Sequence, residues 1–437
     1  QENIMADQTA ASIATQSLNP EMVMLNARDT GRLRELAKQV AELAARPVEE
    51  EKHKLWTAHN DLEPVRPLIF CDPENGWNEI ITPSQLTCEG ELAKQWEMRL
   101  RKEIFWGTRM GDDRVIEPTF TIGHVYTETD WGLHGRKIGG DQGGSYTWEA
   151  PLTSYDDFDK LRFPQIVVNR QVTADVVALA EAAFGDLLTV RLKTHWWWTL
   201  GMTWTLANLR GLEQMMLDMY DEPENLNRIM AFLRDGHLAK LDFLEQNGLL
   251  GGNADGSYVG SGGFGYTRQL PRRDCDPARV RTQDMWGFGE SQETVGVAPD
   301  MFAEFIYPYQ LPILERFGLN CYGCCEPLDK RWHVIKEAPR LRRVSASTWT
   351  DADVMAEQLG GKFIFSSKPN PTHLAEPVLR KEEARAELRR VLTAGKRCGC
   401  VIEVIMKDNH TLGNNPENAV NWCTIARDEI RNIWDWE

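Results

Sequence analysis

The chain has 437 residues, more than one ordinary domain, and its 42% hydrophobic and 26% charged residues suit a chain with a sizeable core. A formal net charge of −16 argues against nucleic acid as the main partner, and no run approaches the roughly 18 apolar residues of a membrane-spanning helix. Nine cysteines, an odd number in a long chain, fit a reducing cytoplasm better than a disulfide framework.

The N-terminal stretch from Gln1 to Asn19 is polar and lacks the basic-then-apolar order of a signal peptide. Met5 is the expected natural start, with Gln1 to Ile4 as an appendage. Residues 20 to 60 predict helix: Asn26, Asp29 or Thr30 is a candidate cap, and Leu33, Leu36, Val40 and Leu43 recur at helical spacing. A first strand is expected from Val65 to Phe70, a second from Pro118 to Tyr126 and a third from Leu187 to Trp197. Gly132 to Trp148, rich in glycine and aromatics, predicts a long functional loop. The methionine-bearing helical stretch over 199–247 is expected to be core.

Residues 250 to 281 break this pattern. Gly260 to Gly265 is a literal G-x-G-x-x-G, but Pro271 and Arg272-Arg273-Asp274 follow where a dinucleotide-binding helix should start. An inserted hairpin or lid is the expected alternative. Strand candidates then recur at Gln283 to Gly289, Leu319 to Cys324, Leu341 to Ser347, Lys362 to Ser367 and Cys400 to Met406, with helical patterns between them. Eight strands alternating with helices predict an α/β fold of the (β/α)8 TIM-barrel type. The expected organisation is a helical extension over 1–60 and a catalytic barrel over 61–437, with the insertion at 250–281.

In such a fold the carboxyl ends of the strands converge on one mouth, where chemistry sits. Those ends carry His195, Glu290 and Glu326, and Asp408 as candidate acids and bases. Cys321, Cys324 and Cys325 crowd the fifth strand end, and His410 follows the eighth. A lone cysteine is normally a small core residue. Thiols grouped as Cys-x-x-Cys-Cys beside a carboxylate suit a borderline metal such as zinc, and His410 on another strand end strengthens that reading. Cys398-x-Cys400 precedes its strand and reads as structural. Sixteen tryptophans are roughly three times the average share. Trp196, Trp198, Trp286 and Trp349, with Tyr126, Gln292 and Lys368, are expected to hold a substrate, since indole faces suit flat rings and methylated ammonium groups.

Several of these motifs resemble the uroporphyrinogen decarboxylase superfamily over roughly residues 20 to 435. They are Met285-Trp286-Gly287, Pro299-Asp300-Met301-Phe302, Tyr307-Pro308-Tyr309, Lys368-Pro369-Asn370-Pro371, Lys407-Asp408-Asn409-His410-Thr411 and Asn415-Pro416-Glu417-Asn418. The resemblance implies a (β/α)8 barrel and, in one branch, zinc-dependent methyl transfer to a corrinoid (cobalamin) carried on a separate small protein. In that branch zinc sits on a His-x-Cys and a last-strand Cys. Here Cys324 matches the first cysteine, Tyr322 replaces the histidine, and Asp408-Asn409-His410 replaces the last thiol. Cys325 and His410 would restore the ligand set. The expected function is zinc-assisted demethylation of a small methoxylated or N-methylated substrate, with no nucleic-acid or membrane partner and a homodimer as one assembly. The alternative is a decarboxylase or lyase on a small carboxylated substrate, bound by Lys368, Arg268 or Arg272; no arginine cluster stands near Pro67 to Asp72, where the decarboxylase branch keeps its own.

Overall fold

The computed structural model describes residues 23–139 and 146–434, so the expected start at Met5 lies outside the described residues. Asn26 opens the first helix, Ala27–Ala44, by accepting from the Asp29 N–H at 2.7 Å. Leu33, Leu36, Ala37 and Val40 form its buried stripe. A second helix, Pro47–Asn60, begins with proline at its first position and ends with Trp56, His59 and Asn60 buried.

Twelve strands follow among the described residues. They are β1 (Leu68–Cys71), β2 (Thr119–Ile122), β3 (Tyr126–Glu128), β4 (Arg136–Gly139), β5 (Tyr146–Glu149) and β6 (Ile166–Val168), then β7 (Thr189–Leu192), β8 (Trp286–Gly289), β9 (Leu319–Tyr322), β10 (Leu341–Ala346), β11 (Ile364–Ser367) and β12 (Val401–Met406). Each of the eight strand positions expected from the sequence carries a strand. Six of them form one parallel sheet in the order β1-β12-β11-β10-β9-β8, so the first strand lies beside the last. β1, β8, β9 and β11 are buried at every residue, and so is β12, which fits a parallel sheet covered on both faces.

The expected eight-stranded closure is not what the described ladder shows. β2 and β7 form a separate parallel pair, while β3 pairs with β6 and β4 with β5, both antiparallel. Side chains stand in for neighbours at the two sheet edges. Along β1, Asp113 accepts from the Ile69 N–H at 2.8 Å and Asp112 from the Cys71 N–H at 3.0 Å. Along β8, the Asn253 amide accepts from Trp286 N–H at 2.8 Å and donates to its carbonyl at 3.0 Å. Edge groups that a strand would have paired are thereby satisfied.

The glycine-rich insertion is a hairpin but not a lid. Tyr258 and Phe264 form an antiparallel bridge, the Val259 N–H donates to Gly263 at 3.0 Å, and residues 261 to 267 are buried. Its glycines allow an approach that larger residues would block. A Cβ on Gly263, where φ is +87°, would lie 2.7 Å from a Glu403 oxygen, and one on Gly260 would lie 2.7 Å from Cys321 Cβ. Phe264 packs on Trp56 and Phe70 at ring separations of 5.0 and 4.7 Å, so the segment fills the interior between the N-terminal helices and the sheet. The stretch expected as a long loop at 132–148 is instead largely the exposed hairpin of β4 and β5; 140–145 lie outside the described residues. Among the described residues, no helix is long and apolar enough to cross a membrane.

Candidate active site

The loop after β9 shapes the site. Gly323 adopts φ +93°, and a Cβ there would lie 2.5 Å from Leu328, so the turn requires glycine. It leaves Cys324 2% exposed and Cys325 open to solvent. Glu326 holds the turn, accepting from the Cys324 N–H at 2.9 Å and from the Ser291 N–H of the β8 loop at 2.8 Å. One buried carboxylate therefore ties two strand ends together.

Cys324 Sγ lies 3.6 Å from Cys325 Sγ and accepts from Ser261 Oγ at 3.3 Å and Lys407 Nζ at 3.8 Å. The Cys325 thiol and then the Lys407 ammonium hold Cys324 below the ordinary thiol range, against burial and the Asp408 and Glu326 carboxylates. Cys325 is correspondingly raised, chiefly by its bond to Cys324. Lys407 is buried, yet Cys324 and Asp408 keep it charged by outweighing desolvation. Asp408 completes the chain at 3.2 Å from Lys407 Nζ and 3.7 Å from Cys325 Sγ.

Glu290, at the end of β8, is fully buried; one carboxylate oxygen accepts from the Gln292 N–H at 2.9 Å. The other has no hydrogen-bond partner among the described residues. Burial, then Glu293, Glu326 and Cys324, raise this carboxyl well above its usual range. A buried acid raised above its usual range, near a thiol lowered from its own, is the chemical core of the site.

The other expected residues divide by position. Lys368 is buried, donating to Ser366, and burial followed by Lys407 and Arg343 pushes it down to about 8 although Glu403 opposes this. Gln292 lies beside Glu290 through its backbone. His195, Trp198 and Trp286 line a narrow cavity of about 30 Å³ with Val259 and Phe288. Val259, Trp286 and Phe288 belong to the same buried apolar cluster as Cys324. His195 borders that cavity but is itself exposed to solvent. Trp196 and Tyr126 stand behind the lining: both are buried, their rings are 4.6 Å apart, and the Trp196 N–H donates to Leu249. Trp349 is 75% exposed. Cys321 is enclosed within β9, burial pushing it up to about 11, as befits a core thiol.

His410 is exposed, and its carbonyl accepts from Asn75 at 2.7 Å. Among the described residues, no group of three or more His, Cys, Asp or Glu side chains is arranged to hold a metal ion. The two thiols do suit one: sulfurs sharing a tetrahedral zinc at its usual bond length stand about 3.8 Å apart, and these are 3.6 Å apart.

A second cavity, of about 260 Å³, shares Trp197 and Trp198 with the first and reaches Glu128, His237 and Lys240. Glu128 stands at a strand end where sequence reasoning expects polar residues, but that reasoning missed His237, Lys240 and Ser261. His237 and Lys240 sit on a helix whose periodicity signals only core packing, and Ser261 lies in the segment expected to be outside.

No protein-family model matches the chain, and no curated protein does. Among solved structures it is similar to a methyltransferase from Methanosarcina mazei, at 10% identity over 86% of this chain and 97% of that one. The TM-score of 0.46 marks a coarse likeness that does not assign an activity.

Proposed function

We propose that the protein is a methyltransferase that removes a methyl group from a small methoxylated or N-methylated donor at the Cys324 site. The observation behind this reading is the pairing of Cys324, held toward thiolate by Cys325 and Lys407, with Glu290, held toward its protonated form by burial among carboxylates. Demethylation leaves an oxygen or nitrogen that needs a proton, and Glu290, raised toward its protonated form, has a carboxyl oxygen without a partner at the strand end. Glu326 keeps the two loops in register and, by its charge, favours the protonated form of Glu290. The buried walls exclude water that would compete for the methyl group.

Zinc enters this proposal through the thiol pair. Cys324 and Cys325 suit two ligand positions by donor type and spacing, but His410 does not stand with them, so no step is routed through the metal. The acceptor proposed is a reduced corrinoid on a separate protein, as the family resemblance implies. In the same reading, β2 and β7 occupy the gap between β1 and β8, giving a (β/α)8-type wall.

The test supplies a methyl donor and a reduced corrinoid acceptor and measures methyl transfer. Cys324→Ala is expected to lose at least ~100-fold in rate, because the thiol is the proposed metal ligand and the charge beside the reacting donor. Metal analysis should find a zinc content that falls in that variant; below about half a zinc per chain in the unaltered protein, the metal part is wrong.

A second reading draws on Lys368 and Lys407, two buried cations beside this site that suit a substrate carboxylate. Of the arginines expected for that role, Arg268 is committed to Asp61 and Glu63, and Arg272 to Gln283, both at exposed positions. Turnover of a carboxylated substrate that survives complete chelation would establish the lyase instead.

A further inference from the structure

We propose that the larger tryptophan-lined cavity binds a flat, uncharged aromatic ring carrying a hydrogen-bonding substituent, as in a phenol or hydroxylated aryl ether, and not a methylated ammonium group. This narrows the donor class left open above and rests on that reading only for what happens to the ring once bound.

An apolar cavity of about 150 Å³ takes benzene, so one of about 260 Å³ has room for a single ring with a few substituent atoms. Trp131, Trp197, Trp198 and Trp204 line it, and indole rings suit a flat aromatic ligand. Gly236, within the helix Pro223–Gln246, makes room for one of them: a Cβ there would lie 2.4 Å from the Trp131 ring.

Charge then separates the two ligand classes. The carboxylate that would attract a cation, Glu128, is already held by Lys240 Nζ through contacts of 2.7 and 3.0 Å. A trimethylated ammonium entering here would meet a neutralised acid and a like charge beside it, an arrangement that works against cation–π attraction. His237 adds no charge either, since burial and then Lys240 push it down to about 3. Its Nε2 is buried with no hydrogen-bond partner among the described residues. His237 lines the cavity, and a ligand hydroxyl is the group that would satisfy its ring nitrogen.

The experiment titrates the full chain with 2-methoxyphenol, methoxybenzene and tetramethylammonium, followed by tryptophan fluorescence and calorimetry. The expected result is saturable binding of 2-methoxyphenol at least ~10-fold tighter than tetramethylammonium. His237→Ala should weaken 2-methoxyphenol about tenfold while leaving methoxybenzene nearly unchanged, and Trp204→Ala should weaken both rings. Tetramethylammonium binding as tightly as the ring, or no ring binding to the unaltered protein, overturns the inference without relying on any variant. Because binding is read without turnover, ring binding with no methyl transfer would overturn only the proposed function. Methyl transfer from an ammonium donor with no ring binding would overturn only this inference.

Discussion

Glu290, Glu293 and Glu326 crowd into a space with little solvent, and all three are raised by burial, with Glu293 and Glu326 adding their charge at Glu290. The consequence for folding has a definite sign. A carboxyl whose folded pKa lies above its unfolded value contributes stability that is present below the unfolded pKa, near 4.3, and lost as pH rises through the folded one. Glu290→Gln cannot ionise, so its melting temperature should gain on that of the unaltered protein as pH is raised from 5 to 9, by ~2 °C or more. The same variant should lose methyl transfer across that range, because the amide has no acidic proton to give. A melting difference that does not change with pH would show that Glu290 is ionised in the fold. Sequence alone pointed to Glu290, Glu326 and Cys324, because residues at strand ends must serve something other than the core. It was silent on Lys407 as the partner of Cys324, since which neighbouring strand end faces which is a matter of register.

Between residues and fold, the glycine-rich insertion shows where pattern reasoning loses its grip. A run of glycine and serine reads as an exposed connection, because those residues usually mark turns. Here the small residues are what let a chain pass through the interior against Cys321, Ile405 and the Arg343–Glu403 pair. The test is Gly263→Ala, which must tolerate both a positive φ and a collision with Glu403; a loss of about 3 kcal/mol in chemical denaturation is expected. The strands of the six-stranded sheet, by contrast, were legible, because a strand buried on both faces leaves a run of apolar residues that needs no partner to be recognised, whereas the exposed hairpin of β4 and β5 left none. What such runs cannot reveal is whether a neighbour is another strand or an aspartate.

At the scale of the whole molecule, the N-terminal helices are part of the interior and not an appendage to it. His59 meets Glu403 of β12 at 3.0 Å, and Asn60 accepts from Arg343 at 2.7 Å and donates to Phe264 and Tyr266, each at 2.7 Å. Removing residues before 61 would leave a buried ion pair short of its partners and strip Trp56 from Phe264. Such a truncation should fail to give a cooperative thermal transition, and one that melts like the full chain would contradict this packing. The helical periodicity of this region was plain in the sequence, but its role as filling was not, since His59 and Asn60 carry no signal of burial.

The side-chain caps on β1 and β8 have a mechanical consequence. They end the six-stranded sheet at both edges and leave β2 with β7 as a separate pair; in the eight-stranded reading proposed above, two seams then divide two plates. The thiols, Glu290 and Lys407 belong to the first plate, the larger cavity from Glu128 to Lys240 to the second, and the narrow cavity has walls from both. Sliding along the seams would change the gap between a ring held by the tryptophans and the sulfur of Cys324 while leaving each half of the site intact. Hydrogen exchange can register such shear: the amides of Ile69, Cys71 and Trp286, which bond to side chains, should exchange at least ~10-fold faster than those inside β11 and β12.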